Sequence, residues 1–318
     1  MLSPYPEILS YKTALINTDQ SHSLHIEETG NPKGLPVFVL HDGPGIGSDP
    51  FHRRLFDAER FRIIEYDQRG CGRSQPLADL EGNTLETAIS DLLKVMDYVG
   101  LERGVFVGFG WGASLAARFA EIHPQKVSGL VICGYGLCDR RSVTWLLKGG
   151  APSLFPDHWS DLLQRLGATS DNLVNVMTDM LMGANELDQI QAAKAWSRWL
   201  AKISTLHCQQ SLVEHYCHPH NAIAIARLGF QHLLGLVESK PSGITLNADI
   251  PSVIVHGRYD AVCPLVAAYE LHKQSSDSRF YIVRDAGHAP HDPAMTDTMI
   301  RAISELADTL EGREKLNG

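Results

Sequence analysis

The chain lacks most of the features that would place it in a specialised class. No stretch of about eighteen apolar residues is present, so no segment reads as a membrane span. The start, MLSPYPEILSYKT, has no basic run followed by an apolar one, so it does not read as a secretory signal. Blocks of like charge, internal repeats and low-complexity tracts are missing, and the formal net charge is -9, which argues against nucleic-acid and anionic-membrane surfaces. Six cysteines, at 71, 133, 138, 208, 217 and 263, are scattered without the spacing of a disulfide framework. The expectation is a soluble cytoplasmic protein with free thiols. What is present is ordinary globular material, 44% hydrophobic and 20% charged over 318 residues, enough for one large domain with an insertion.

Short apolar runs alternate with helical patterns. LPVFVLHD, FRIIEYD, GVFVGF, VSGLVICG, PSVIVHG and SRFYIVRD read as strands, and TLETAISDLLKVMDYVG as an amphipathic helix opened by a Thr-x-x-Thr cap. Continuous apolar strands separated by helices imply a parallel sheet covered on both faces. Residues 138–249 are helical in pattern, without clear strands. They read as a lid inserted between two halves of a core, 1–137 and 250–318, over the carboxyl ends of the strands, where open α/β sheets bind ligands.

One further absence raises the question of chemistry. VFVGFGWGASLAARFA is a strand, a glycine turn and a small-residue helix, the form of a nucleophile elbow G-x-S-x-G. The apex position, however, is Gly110, between Gly108 and Gly112.

Five motifs occur in a fixed order: HDGPG (41–45), DQRGCGRS (67–74), GFGWG (108–112), HGRYDAVCP (256–264) and DAGHAP (285–290). Together with AAKAWSRW (192–199) they resemble the proline iminopeptidases, a family of the α/β-hydrolase superfamily, over nearly the whole chain. The resemblance implies an α/β-hydrolase fold, a mostly parallel doubly wound sheet with an inserted helical lid. It implies Asp260 as the triad acid and His288 as the base, in the chain order elbow, acid, histidine. The nucleophile would stand at Gly110, which has no side-chain atom from which to form an acyl intermediate. Ser114, one turn further on, reads as a helix-packing serine, and Cys133 and Cys138 as structural.

Two further positions depart from the family pattern. An oxyanion hole needs N–H donors aimed at developing charge. These would be the Trp111 backbone and the loop carrying Asp42 and Gly43, where the family has glycine at position 42. A carboxylate there opposes the charge to be stabilised unless it points away. The family holds the substrate's free amino terminus with lid glutamates, and the matching positions here are Leu200 and Gly229. A desolvated ammonium without a counter-charge costs several kcal/mol. Trp196 and Trp199 read as lid core rather than a cofactor box, and mark the substrate-binding region with Leu200 and Gly229. Asp67 and Arg69 read as scaffold. His207, Cys208, His215, Cys217, His218 and His220 offer soft ligands, but their spacing fits no standard zinc pattern, so no metal and no cofactor are expected.

The expected function is that of a proline-iminopeptidase-like hydrolase-fold protein without the serine. It would bind a small-molecule or peptide-like ligand under the lid, or perform acid–base chemistry with His288 and Asp260. The alternative is a serine aminopeptidase releasing N-terminal proline, seen with an inactivating Ser-to-Gly change. No nucleic-acid or membrane partner is expected, and the sequence leaves the oligomeric state open.

Overall fold

The computed structural model describes all residues except 19–20, 137–138, 238–242, 276 and 318. Cys138 and the 137/138 domain boundary therefore lie outside the described residues. The chain opens with an antiparallel pair, β1 (Lys12–Asn17) and β2 (Ser23–Gly30), followed by β3 (Leu35–Leu40), α1 (Pro50–Arg53) and β4 (Phe61–Tyr66). Then come α2 (Leu85–Val99), β5 (Gly104–Phe109), α3 (Trp111–Ile122) and β6 (Val127–Cys133). A run of helices follows: α4 (Arg140–Thr144), α5 (Ala151–Leu154), α6 (Pro156–Leu166), α7 (Leu173–Met182), α8 (Glu186–Ile203), α9 (Gln210–Cys217) and α10 (Pro219–Leu236). The chain closes with β7 (Ser252–Gly257), α11 (Leu265–Gln274), β8 (Arg279–Val283) and α12 (Pro293–Asn317).

The strands form one sheet in the order β1-β2-β4-β3-β5-β6-β7-β8. Strands β3 to β8 pair in parallel, while β2 meets both β1 and β4 antiparallel. All six residues of β5 are buried, as a central strand covered on both faces requires. Leu92, Val95, Leu115 and Phe119 of α2 and α3 pack on one face. Met299, Ile303 and Leu306 of α12 cover the other. The Thr-x-x-Thr start of α2 forms the expected reciprocal cap: the Thr84 N–H donates to Thr87 Oγ1 (2.9 Å) and the Thr87 N–H to Thr84 Oγ1 (3.3 Å).

The helices between β6 and β7 bury their own apolar cluster, centred on Trp159, Trp196, Trp199 and Phe230, and contain no strand among the described residues. No described helix is long and apolar enough to cross a membrane.

The β1–β2 pair has no place in the sequence expectation, which begins at Leu35. In β2, Glu27 and Glu28 are buried only because cations reach them. Arg53 and Arg73 pair with Glu27, and Lys12 and Arg62 with Glu28.

Arg69 makes a bidentate pair with Asp91 of α2 (2.6 and 2.8 Å), both side chains about 2% exposed. The pair ties the loop after β4 to the helix layer. Removing one partner strands a buried charge, so Arg69→Ala should lower stability by about 3–5 kcal/mol in urea unfolding. A loss below about 1 kcal/mol, the level of an exposed pair, would contradict this scaffold role.

Candidate active site

The sheet register brings the site together. Leu40 of β3 is level with Gly108 of β5. Continuing both strands by two residues sets Asp42 beside Gly110. Asp260 follows β7 and His288 follows β8, so four loops at the carboxyl ends of parallel strands converge.

The turn at Gly110 has φ +52° and ψ −114°, a backbone conformation that L side chains rarely adopt. Its flanking glycines are required by close approach: a Cβ on Gly108 would run into the Gly112 carbonyl, and one on Gly112 into the Leu40 and His41 carbonyls. The elbow therefore keeps its sharp strand-to-helix geometry. Its apex is filled by a neighbour, since a Cβ on Gly110 would overlap the Asp42 carboxylate.

Asp42 does not point away from the donors; its carboxylate turns into them. Its Oδ1 accepts the backbone N–H of Trp111 (2.9 Å) and of Gly43 (2.7 Å). The N–H groups anticipated for a substrate oxyanion are occupied by the protein's own carboxylate. Asp42 Oδ2 lies 2.9 Å from His288 Nε2. On the other side of the ring, His288 Nδ1 is 2.8 Å from Asp260 Oδ2. Asp260 Oδ1 is held in turn by the N–H groups of Val262 (3.0 Å) and Cys263 (2.8 Å).

The imidazole thus sits between two carboxylates. Burial by itself lowers the His288 pKa, but Asp260 and Asp42 outweigh it and carry the pKa well above the usual histidine value. Burial likewise raises the Asp42 pKa, yet His288 and the Trp111 and Gly43 N–H groups bring it below the usual carboxylate value. At neutral pH His288 is an imidazolium with a proton on each ring nitrogen, one directed at Asp42 and the other at Asp260.

The loop bearing Asp42 is fixed from behind. The Gln68 N–H donates to His41 Nε2 (2.9 Å), which leaves the proton on Nδ1, and Nδ1 donates to the Asp42 carbonyl (2.6 Å). Burial lowers the His41 pKa and keeps that ring neutral. Gln68 Nε2 donates to the His41 carbonyl (2.9 Å) and its Oε1 accepts from Trp111 Nε1 (2.9 Å), so one side chain braces both the Asp42 loop and the elbow. Gln68 lies inside DQRGCGRS, between the two residues read as scaffold, yet only the tertiary contacts reveal its role. Asp67 accepts from the Ser48 and Arg73 N–H groups and shapes the adjoining loops. The His288 loop hangs from the helical layer, because the N–H groups of His288 and Ala289 both donate to the Ser204 carbonyl (2.8 and 2.7 Å).

A cavity of about 120 Å³ opens beside this array. Leu200, Gly229 and Trp196 line it with Asp42, Gly43, Gly110, Trp111 and His288. Trp199 does not line it. Its ring packs against Trp159 within the helical layer (centroids 5.2 Å apart), so its place among the substrate-binding residues is corrected to core. Ser114 also lines the cavity, but its hydroxyl donates to the Gly136 carbonyl (3.1 Å). His232, unmarked in the sequence, packs its ring edge to face with Trp111 (4.4 Å) and stays neutral, because burial lowers its pKa to about 4. Asp42 is the only acid among the described residues lining the cavity. The histidines and cysteines of the helical layer do not converge into a group of three metal ligands among the described residues, and His220 Nε2 instead bonds the Gly72 carbonyl (2.7 Å).

His288 has a folded pKa above its unfolded one, so its charge stabilises the fold below about pH 6.5 and that contribution is lost only as pH rises through the folded value. Imidazole nitrogen shifts followed by NMR should show His288 doubly protonated throughout the neutral range. In Asp42→Asn the deprotonation should move to distinctly lower pH. An unmoved midpoint in that variant would contradict the two-carboxylate arrangement.

The alpha/beta hydrolase fold family model matches residues 36–294. The proline iminopeptidase of Xanthomonas citri is 36% identical over 96% of this chain and all of its own length. That of Xylella fastidiosa is 35% identical over the same shares, and that of Arabidopsis thaliana 33% identical over 95% of this chain and 81% of its own. Among solved structures, proline iminopeptidase from Mycobacterium smegmatis superposes with a TM-score of 0.68 at 20% identity, covering 95% of this chain and 100% of that one. An esterase from Exiguobacterium antarcticum gives a TM-score of 0.67 at 21% identity, over 93% and 100%. With this identity sustained over nearly full length, the chain belongs to the proline iminopeptidase family of the α/β-hydrolase superfamily.

Proposed function

We propose that this family member does not work through a serine acyl-enzyme, and that its cavity holds a small ligand on which the Asp42–His288–Asp260 array performs acid–base chemistry. The observation carrying this reading is the carboxylate of Asp42 at the elbow. It takes the volume a Gly110 side chain needs, fills the N–H donors of Trp111 and Gly43, and accepts the hydrogen bond of His288. A base that removes a proton from serine must be a neutral imidazole. Here the ring is an imidazolium, fitted to donate a proton, with Asp42 as the group to receive one.

The lining supports a ligand other than an N-terminal proline. Leu200 and Gly229 stand where the resemblance places glutamates, and Asp42, the one lining acid among the described residues, is already neutralised by His288. An ammonium entering this cavity meets no free counter-charge. Under this reading the helices over the cavity act as a lid, with the Ser204 carbonyl coupling their position to that of His288.

The names of the relatives favour a second reading, an aminopeptidase that releases N-terminal proline, altered at Gly110. The two readings separate in one assay. The unaltered chain should neither release proline from proline p-nitroanilide nor react with a fluorophosphonate probe. Gly110→Ser alone should remain inert, because Asp42 obstructs the new side chain. Gly110→Ser combined with Asp42→Gly should react with the probe. Brisk proline release by the unaltered chain, or labelling of any serine in its cavity, overturns the proposal. Full aminopeptidase activity in Gly110→Ser alone supports the second reading.

A further inference from the structure

Helix α10 turns one face to the cavity, carrying Ile225, Gly229, His232, Leu233 and Leu236 at helical spacing. Three of these are aliphatic and Gly229 adds only backbone, so His232 is the polar side chain that α10 brings to the ligand space. Its ring stands edge to face against the Trp111 indole, with 4.4 Å between centroids, beside the residue that follows Gly110. Ser114 and Ser204, also on the lining, spend their hydroxyls on the Gly136 and Leu200 carbonyls (3.1 and 2.7 Å). His232 does not: among the described residues neither ring nitrogen has a hydrogen-bond partner, and neither is sealed off by its neighbours. Polar groups taken from water are as a rule hydrogen-bonded. An imidazole on a cavity wall with both nitrogens unused therefore points to a group that arrives with the ligand.

From this placement we propose that His232 is a ligand-binding residue, and that the cavity takes a small, neutral, largely apolar molecule whose hydroxyl group hydrogen-bonds the His232 ring. The inference rests on the reading that the cavity holds a small ligand other than an N-terminal proline, and it names the class of that ligand. Burial alone moves the ring's pKa, to about 4, and no charged side chain among the described residues acts on it. At neutral pH it therefore offers one N–H donor and one bare acceptor nitrogen. A carboxylate ligand would need the ring protonated against that burial, and an ammonium would leave water for an uncharged partner. A hydroxyl both donates and accepts, so it bonds whichever nitrogen faces it, and the ring needs no fixed tautomer.

The rest of the wall sets the size and the body of the ligand. An apolar cavity of about 150 Å³ holds benzene, and this one, of about 120 Å³, is lined by Trp196, Leu200, Leu233 and Leu236. The body is thus of the order of one six-membered ring. His232 and the Asp42–His288 pair reach it from different layers, the first from a helix over the cavity and the second from loops at the edge of the sheet. A neutral ring with so low a pKa is a poor base, so His232 holds and orients the ligand and leaves proton transfer to the array.

The test titrates the full chain, ¹⁵N-labelled at histidine, with phenol and separately with benzene, the same ring without the hydroxyl. The His232 ring nitrogens are assigned by the signals lost in His232→Phe, which keeps a ring against Trp111 and removes both nitrogens. Phenol should shift these signals in the unaltered chain, and benzene should shift them far less. By calorimetry the ratio of phenol to benzene affinity should fall about five-fold in His232→Phe, the worth of one neutral hydrogen bond, while benzene binds no more weakly. The titration itself uses the unaltered chain, and His232→Gln supplies the same assignment, so misfolding of one variant does not remove the test. His232 nitrogens unmoved at saturating phenol, failure of phenol to bind, or an unchanged ratio in His232→Phe, which would put the hydroxyl on Asp42 instead, overturns the proposal. Those outcomes leave the acid–base reading intact, whereas proline release by the unaltered chain overturns both.

Discussion

The contact between Asp42 and His288 organises the site. Three groups that would each be costly alone, two buried carboxylates and a buried imidazolium, become stable because they alternate in charge and share hydrogen bonds. Only removing the Asp42 side chain would free the Trp111 and Gly43 N–H groups and leave His288 paired with Asp260 alone. The glycine at 110 and the aspartate at 42 fit each other: a turn with no side chain at 110 leaves the space that the carboxylate occupies.

That fit is possible because the fold sets two loops level with each other. The elbow after β5 and the loop after β3 are adjacent at the carboxyl edge of the sheet, in register. In a serine hydrolase one loop supplies the attacking atom and the other helps to hold the oxyanion. Here the second loop projects a carboxylate into both places. The machinery around it, Asp260 behind His288, Gln68 behind His41 and Trp111, and the Ser204 carbonyl under the His288 loop, keeps its alignment.

The strands from β3 onward were legible because each is a continuous apolar run bounded by a glycine or an acid, and α2 because its cap and periodicity agree. The β1–β2 pair was not. Its inward positions include Glu27 and Glu28, whose burial depends on arginines and a lysine elsewhere in the chain, and a local apolar pattern cannot register a distant partner. The tryptophans of α8 show the same limit. Trp196 and Trp199 lie three residues apart on one helix face, and only packing assigns Trp196 to the cavity wall and Trp199 to the core.

By itself the sequence determined the family, the parallel core and the glycine at the apex of the strand-to-helix turn, because each is a matter of residue type and pattern along the chain. It left the direction of the Asp42 carboxylate open, as either turned away or opposed to the oxyanion hole. Only the tertiary structure decided that, since the answer depends on a strand register, a glycine's clearance and two N–H groups converging from different loops. With it came the charge state of His288, which no motif encodes because a histidine's pKa is set by what faces both of its nitrogens.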